Sequence, residues 1–402
     1  MSALMLDIKT KQRLDIRFQE IFGKSAECYF SAPGRTEISG NHTDHQRGCV
    51  LAAAVNLDTV AAVRLNDTNT IRIKSKGFRM CQICLGELEP KESEMSTTSA
   101  LVRGVVARFA QLGYIVKGFD AYCESKVLPG SGLSSSAAFE VLVGTICNSM
   151  FCDGKLSAAE IAKVGQYAEN IFFGKPCGLM DQMASSVGGM VYIDFEDLEE
   201  PIVQKIKFDF VAAGHSLCII DTGADHAELT AEYAAITQEL KDVCAFFGKR
   251  QLHDVPEEEF YERISELRRN VGDRAVLRSI HVYDENHRVK KIRVALEKND
   301  FAAFLAYIKE SGQSSWRYLQ NIIPTGRIKM QEVAFALAVA ERLLQGKGAC
   351  RIHGGGFAGT IQAFVPNDML EEFKHNIEAV LGEGKCYVLT VREQGGVEME
   401  TE

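Results

Sequence analysis

A glycine- and serine-rich segment, Leu128-Pro-Gly-Ser-Gly-Leu-Ser-Ser-Ser-Ala-Ala138, constrains the fold of this chain more than any other. It follows a predicted strand at 118–127 and precedes an apolar stretch, 137–151, that is predicted to form a helix. Glycines let a backbone approach a bulky anion, serines supply donors, and a helix N-terminus presents unpaired amides with a positive dipole end. The segment therefore predicts a phosphate-binding loop. It is not a Walker loop, and its simpler alternative is a turn that only caps the helix.

A second informative segment, residues 32–48, places many polar side chains between apolar strands. Its polar members are Arg35, Glu37, Asn41, His42, Asp44 and His45. Burying such groups without partners is costly, and amide, carboxylate and imidazole groups are suited to holding sugar hydroxyls. A solvated loop is one alternative. A metal site formed by His42, Asp44 and His45 is another, less favoured because no predicted helix places these three side chains on one face.

Two further segments carry candidate chemistry. A capping box at Ser157 predicts a helix that runs to about Phe173. Gly-Lys-Pro-Cys-Gly-Leu-Met-Asp-Gln follows at 174–182, so that Asp181 comes after a tight turn. Alone, Asp181 could simply cap a helix. A run of glycines at 354–359 leads into a predicted strand and could be a plain turn.

Together these segments resemble the signatures of the galactokinases in the GHMP kinase superfamily. Residues 31–44 resemble the first signature, the glycine- and serine-rich segment the second, and residues 354–359 the third. The turn before Asp181 is similar to the family's Pro-Cys-Gly-Ile-Met-Asp-Gln. The resemblance implies an α+β, two-domain GHMP kinase fold, with a ribosomal S5-like N-terminal domain and a ferredoxin-like C-terminal domain.

The resemblance also implies roles for individual residues. Arg35 and Asp181 would be catalytic, and Ser136 and Glu169 would hold Mg²⁺. The sugar-binding residues would be Glu37, Asn41, His42, Asp44, Gly178 and Tyr233. The ATP-binding residues would be Pro129, Gly130, Ser131, Gly132, Leu133, Ser134, Ser135, Ser136 and Ala137.

The implied activity is ATP-dependent phosphorylation of a sugar at its 1-hydroxyl, with D-galactose giving galactose 1-phosphate. The chain departs from the family pattern at Asn41, where Glu is usual, and at His45, where Tyr is usual. These departures keep open a kinase for another sugar, such as an arabinose, an amino sugar or a uronic acid. A non-catalytic sugar sensor is a third alternative, and the intact Arg35, Glu169 and Asp181 argue against it.

The length of 402 residues suits two domains. We place them at 1–200 and 201–402, divided at the acidic turn 196–201. Mixed strands and helices without regular alternation favour α+β. Strands are predicted at 48–64, 71–88 (a hairpin), 189–196, 216–223, 360–366 and 386–393. Helices are predicted at 99–113, 224–247, 257–269, 327–346 and 368–381.

Composition bears on partners and compartment. The net charge is −9 and the sequence has no basic stripe, so we expect no nucleic-acid partner. No apolar run reaches the ~18 residues of a transmembrane helix, and we expect no secretory leader and no membrane. The 12 cysteines are expected to be free thiols in the cytoplasm. We expect a monomer that binds a sugar and ATP.

Overall fold

The computed structural model describes residues 4–127, 132–175, 177–224 and 229–401. Up to residue 206 the elements are α1 (Ile8–Phe22), β1 (Cys28–Ser39), β2 (Cys49–Leu65), β3 (Thr70–Ser75), β4 (Cys81–Cys84), α2 (Thr98–Gln111), β5 (Phe119–Ser125), α3 (Ser135–Cys152), α4 (Ala158–Tyr167), α5 (Met180–Val187), β6 (Met190–Asp194) and β7 (Ile202–Ile206). After it they are β8 (His215–Asp221), α6 (Thr230–Phe246), α7 (Glu257–Glu262), α8 (Ile264–Val271), α9 (Asp273–Glu297), α10 (Phe301–Ser314), α11 (Glu332–Leu344), β9 (Ala349–Ile352), β10 (Thr360–Pro366), α12 (Leu370–Leu381), β11 (Cys386–Leu389) and β12 (Val397–Glu398).

The first sheet has the strand order β12-β1-β2-β5-β3-β4, and β6 and β7 extend it from β2. The long strand β2 pairs with β6 through its first half and with β5 through its second half. Helices α2, α3 and α4 cover one face with a shared apolar core. The small, apolar residues of 49–55 lie in the middle of this sheet and are fully or almost fully buried, because neighbours cover both faces.

The second sheet is antiparallel and has the order β11-β8-β10-β9. Helices α11 and α12 pack on one face of it. The other face shares a core with α9, α10 and the β2–β6 region of the first sheet, which joins the two halves of the molecule. This order, with the first and third strands in the centre, is that of a ferredoxin-like sheet. The predicted α+β, two-domain fold is confirmed.

The predicted domain division at 196–201 falls inside the β6–β7 hairpin of the first sheet. The C-terminal strand β12 also belongs to that sheet, because it pairs with β1. The first sheet therefore contains residues from both sides of 200, and the division of the chain there stays a prediction.

The predicted start and end of the helix that begins at Ser157 are both confirmed. Ser157 forms the capping box with Glu160 at the start of α4. After Tyr167 the helix continues as a π-helical turn, Ala168–Phe173, and ends at Gly174 with a left-handed φ of 83°. This wider turn carries Glu169, and π-helical turns are frequent at functional sites.

Several predicted elements need correction. The helix predicted at 257–269 is two helices, α7 and α8, which meet at Arg263. The helix predicted at 327–346 begins only at Glu332. Helices α9 and α10 were not predicted at all.

One described helix, α3, is long and apolar enough to cross a membrane, but 67% of it is buried inside the protein. It is the central helix of the N-terminal core. All 12 cysteines lie within the described residues and are free, as expected.

Candidate active site

A cleft of about 660 Å³ lies where the end of β1, the start of α3, the start of α5 and the 354–360 segment meet. Its lining includes all the predicted catalytic and sugar-binding residues: Arg35, Glu37, Asn41, His42, Asp44, Gly178, Asp181 and Tyr233. Of the predicted ATP-binding residues, Gly132, Ser134, Ser135 and Ser136 line it as well. Leu133 and Ala137 are buried beneath the surface, and Pro129, Gly130 and Ser131 lie outside the described residues.

The centre of the cleft is a two-pronged ion pair between Arg35 on β1 and Asp181 in the first turn of α5. Nε and one terminal nitrogen of Arg35 each donate to one carboxylate oxygen of Asp181 over 2.7 Å. The pairing of β1 with β2 shifts register between Pro33 and Arg35, and such a shift redirects a side chain. The remaining terminal nitrogen of Arg35 donates to the carbonyl of Gly132.

This pair sets the charge state of Asp181. Burial alone would raise the pKa of Asp181, but the charge and hydrogen bonds of Arg35 lower it, with help from Ser134 and Lys175. The net result is a pKa below the ordinary value, so the carboxylate is ionised at neutral pH.

The phosphate loop reaches α3 through a tight backbone path. Ser134 has a left-handed φ of 56° immediately before the helix, and Gly132 has a φ of 71°. A Cβ at Gly132 would lie 2.4 Å from Oγ1 of Thr360, so only glycine fits there. The loop is thereby held against the 354–360 segment of the C-terminal half.

The two predicted metal ligands are in contact. Ser136 donates to Oε1 of Glu169 over 3.1 Å, and Lys175 Nζ lies 3.1 Å from the same oxygen. Gln182 donates to the other oxygen of Glu169 over 2.8 Å. A hydroxyl and a carboxylate beside the phosphate loop fit Mg²⁺, which prefers oxygen ligands and keeps several waters. Among the described residues there is no group of three or more His, Cys, Asp and Glu placed to hold a metal, including the alternative at His42, Asp44 and His45.

Asp44 and Gly178 touch each other at the sugar side. A Cβ at Gly178 would lie only 1.9 Å from Oδ2 of Asp44, so a side chain at this position would displace the carboxylate. Burial, together with the nearby charge of Asp181, raises the pKa of Asp44 to about 7. A hydroxyl group donating to this carboxylate would favour its ionised form.

Three predicted sugar-binding side chains hold consecutive carbonyls of the glycine-rich segment. Asn41 donates to Gly354 over 2.5 Å, the Nε2 of His42 lies 2.9 Å from the carbonyl oxygen of Gly355, and Tyr233 donates to the carbonyl of Gly356 over 2.8 Å. These contacts attach the glycine-rich segment to the N-terminal half and to α6.

The two histidines of this motif contact each other. His42 Nδ1 lies 3.1 Å from His45 Nε2. Burial lowers the pKa of His42, and it lowers the pKa of His45 to about 3. Both rings are therefore neutral, and His42 can use only one ring proton, the one on Nε2 that faces Gly355.

The carboxylate of Glu37, predicted to face the sugar, forms a buried ion pair with Arg351 of β9 over 2.7 Å. Arg351 also donates to the carbonyl of Ile38 over 2.8 Å. Sequence reasoning missed Arg351, although an arginine among the apolar residues of 349–352 was a usable signal. The structure shows that this arginine is fully buried, which requires a partner for its charge. It also missed Asn321, which donates to Oδ1 of Asn41 over 2.8 Å.

A buried carboxylate, Glu140, was missed as well. Gln182 donates both to Glu140 over 2.9 Å and to Glu169 over 2.8 Å, so the amide lies between the two acids. Burial and the charge of Glu169 raise the pKa of Glu140 well above its ordinary value. Glu140 therefore lies behind the predicted metal ligands as a buried carboxyl group that shares Gln182 with Glu169.

Comparison with protein families gives two matches. Residues 16–65 match the galactokinase galactose-binding signature, and residues 100–189 match the N-terminal domain of GHMP kinases. The first range contains Arg35 and the sugar motif, and the second contains the phosphate loop, Glu169 and Asp181.

Curated relatives agree with these matches. The chain is 33% identical to a galactokinase of Glaesserella parasuis over 362 residues, which are 89% of this chain and 90% of the relative. It is 32% identical to a galactokinase of Streptomyces coelicolor, with 86% of each chain covered.

Among solved structures, the crystal structure of Lactococcus lactis galactokinase complexed with galactose superposes with a TM-score of 0.81 at 26% identity, covering 96% of this chain and 99% of the other. A Streptococcus pneumoniae phosphomevalonate kinase in complex with phosphomevalonate and AMPPNP shares the fold, with a TM-score of 0.62 at 12% identity over 93% of this chain and 100% of the other.

Proposed function

This chain belongs to the galactokinase family of the GHMP kinases, and we propose on that basis that it transfers the γ-phosphate of ATP to the 1-hydroxyl of D-galactose. The products are galactose 1-phosphate and ADP. The observation that carries the proposal is the Arg35–Asp181 pair, with 2.7 Å contacts, in a cleft between the phosphate loop and the sugar motif.

In this reaction a bond forms between O1 of the sugar and the γ-phosphorus while the bond from the γ-phosphorus to the bridging oxygen of ADP breaks. Asp181 accepts the hydroxyl proton and passes it to solvent. A carboxylate with a lowered pKa is a weak base, so the proton moves late, when bonding to phosphorus has already acidified the hydroxyl. Arg35 keeps Asp181 ionised and fixed in position.

The nucleotide phosphates are proposed to bind at the N-terminus of α3, where backbone amides and serine hydroxyls converge. Ser136 and Glu169 are the proposed ligands of Mg²⁺, which when bound would neutralise charge on the β- and γ-phosphates. The buried Glu140 and Gln182 support Glu169 from behind.

On the sugar side, Asp44 and the backbone amide of Gly178 are the groups proposed to hold galactose hydroxyls. His42, Asn41 and Tyr233 border the same space and fix the glycine-rich segment that closes it. We further propose a cytoplasmic monomer without nucleic-acid or membrane partners, as the sequence predicted.

The replacement of Asp181 by Asn tests the proposal, because it keeps the shape of the side chain and removes its basicity. We expect galactose phosphorylation to fall at least about 10³-fold while galactose binding, measured by calorimetry, persists. Asp153→Asn is the matched control, since the side chain of Asp153 is 87% exposed and lies outside the cleft. Turnover by Asp181→Asn near the level of the control would remove Asp181 from its role.

A further inference from the structure

Lys175 lies in the cleft and has no role in the motifs described above. Among the described residues, Arg35 and Lys175 are the lysine and arginine side chains that line this cleft. All three nitrogens of Arg35 are engaged, two by Asp181 and one by the carbonyl of Gly132. Arg35 therefore has little freedom to follow a phosphate.

Lys175, by contrast, is paired with one carboxylate oxygen, that of Glu169, and is more exposed than Arg35. Its side chain is 59% exposed, whereas Glu169, its partner at 3.1 Å, is 3% exposed. The ammonium group is more than half exposed, so it can leave Glu169 while it keeps contact with water. Lysine also carries its charge on a flexible four-carbon stem.

Lys175 interacts with both the proposed metal ligand, Glu169, and the proposed base, Asp181. It contacts Glu169, which in turn contacts Ser136 of the phosphate loop. Its charge also acts on Asp181. The ammonium group therefore lies beside the proposed metal ligand Glu169 and within electrostatic reach of the proposed base, Asp181.

The charges of the cleft leave a place for such a cation. Asp44, Glu169 and Asp181 are acidic groups on or beside it, and the one lining arginine is already paired. A polyanionic triphosphate entering this space needs positive charge in addition to the partial charges of the loop amides.

We propose that Lys175 is a further catalytic residue, whose ammonium group leaves Glu169 when nucleotide binds and then contacts the oxygens of the transferring γ-phosphoryl group. This inference rests on the proposed function for the identity of the reaction. In the free protein, Lys175 forms an ion pair with Glu169. Glu169 is also a proposed metal ligand, and release of Lys175 frees a carboxylate oxygen for that role.

Lys175→Met tests this, because methionine keeps most of the stem and removes the charge. Lys175→Arg is the conservative variant, and Lys155→Met is the matched control, since Lys155 is 64% exposed and lies outside the cleft. The measurements are calorimetric affinities for ADP, for a non-hydrolysable ATP analogue and for galactose, with EDTA and with Mg²⁺, followed by steady-state kinetics.

We expect Lys175→Met to weaken binding of the ATP analogue at least about tenfold with EDTA as well as with Mg²⁺, and to change ADP binding less than threefold. The value of kcat should fall about 100-fold and recover partly in Lys175→Arg, and galactose affinity should stay within twofold. Because the EDTA titrations need neither metal nor turnover, they test Lys175 even if the wild-type protein fails to phosphorylate galactose, a result that would refute the proposed function alone.

Two results would overturn the inference. One is an affinity for the ATP analogue and a kcat both within twofold of wild type. The other is an equal loss of ADP, analogue and galactose binding together with a lowered Tm, which would assign Lys175 a structural role through Glu169.

Discussion

Replacing Gly178 by Ala should impair the binding and phosphorylation of galactose while nucleotide binding is retained. Gly178 does not have a left-handed φ, so alanine is compatible with its backbone. The added Cβ, however, would lie 1.9 Å from Oδ2 and 2.8 Å from Cγ of Asp44. Because ordinary contacts begin at 3.4 Å, the carboxylate must retreat by about 1.5 Å.

The size of the effect follows from that displacement. Moving a positioning group by about 1 Å can cost about 10²-fold in rate. We therefore expect kcat/KM for galactose to fall about 100-fold, which corresponds to about 2.7 kcal/mol of transition-state stabilisation. The affinity for an ATP analogue should stay within twofold, since Asp44 forms no hydrogen bond with the described part of the phosphate loop, residues 132–137.

The assay is steady-state kinetics with galactose varied at saturating ATP, together with calorimetric titration of galactose and of the ATP analogue. Gly86→Ala is the matched control, because the nearest atom to its added Cβ would be 3.8 Å away and its φ is also ordinary. A Gly178→Ala variant that binds and phosphorylates galactose like Gly86→Ala would refute the placement of Asp44 against the sugar.

Four further predictions concern Asp44, Arg351 and Ser157, two of them on Asp44. Since burial raises the pKa of Asp44 to about 7 and the ionised form accepts hydroxyl donors, galactose affinity should rise about tenfold from pH 6 to pH 8, and Asp44→Asn should abolish this dependence in calorimetry. The same raised pKa means that the folded protein binds this proton more tightly than the unfolded chain does. The Tm of the wild type relative to that of Asp44→Asn should therefore decrease as the pH rises from about 4 to 7. A Tm difference between the two proteins that stays constant over this range would contradict the raised pKa. Arg351→Met leaves Glu37 buried without its cation and should lower the free energy of unfolding by about 3–5 kcal/mol in urea titrations, with partial recovery on adding Glu37→Gln; a loss below about 1 kcal/mol would contradict the buried pair. Ser157→Ala removes the capping box of α4 and should cost about 1 kcal/mol in the same titration while kcat is unchanged; an unchanged unfolding curve would contradict the cap.

Local signals in the sequence predicted the secondary structure around the candidate site well where contacts between near neighbours create it. The phosphate loop depends on glycines before a helix, and Ser157 and Glu160 define the start of α4 by direct contacts between near neighbours. Such features need only a few consecutive residues, so they can be recognised without the fold.

Helix α9 was missed because polar residues interrupt the apolar pattern of its buried face. His281 lies 3.0 Å from the carbonyl of Asn41, and Glu285 accepts hydrogen bonds from Ser39 over 2.9 Å and from the amide of Gly40 over 3.0 Å. Polar residues in a helix are normally read as its exposed face, so this pattern hides the periodicity.

The partners of the motif residues could not be predicted for the same physical reason. Glu37 pairs with Arg351 and Asn41 with Asn321, across separations of 314 and 280 residues. A motif identifies which residues are present, whereas the tertiary fold decides which group each side chain faces. Lys175 is the converse case, since it lies inside a recognised motif but its proposed role follows from its contact with Glu169 in the fold.

The central claim is tested most directly by following the phosphorus of ATP with ³¹P NMR while the wild-type protein is offered galactose, an arabinose, an amino sugar and a uronic acid in separate reactions. We predict a sugar 1-phosphate resonance with galactose, formed in step with ADP, and the highest kcat/KM for that sugar. Absence of product from galactose, alongside turnover of another sugar in the set, would contradict the account.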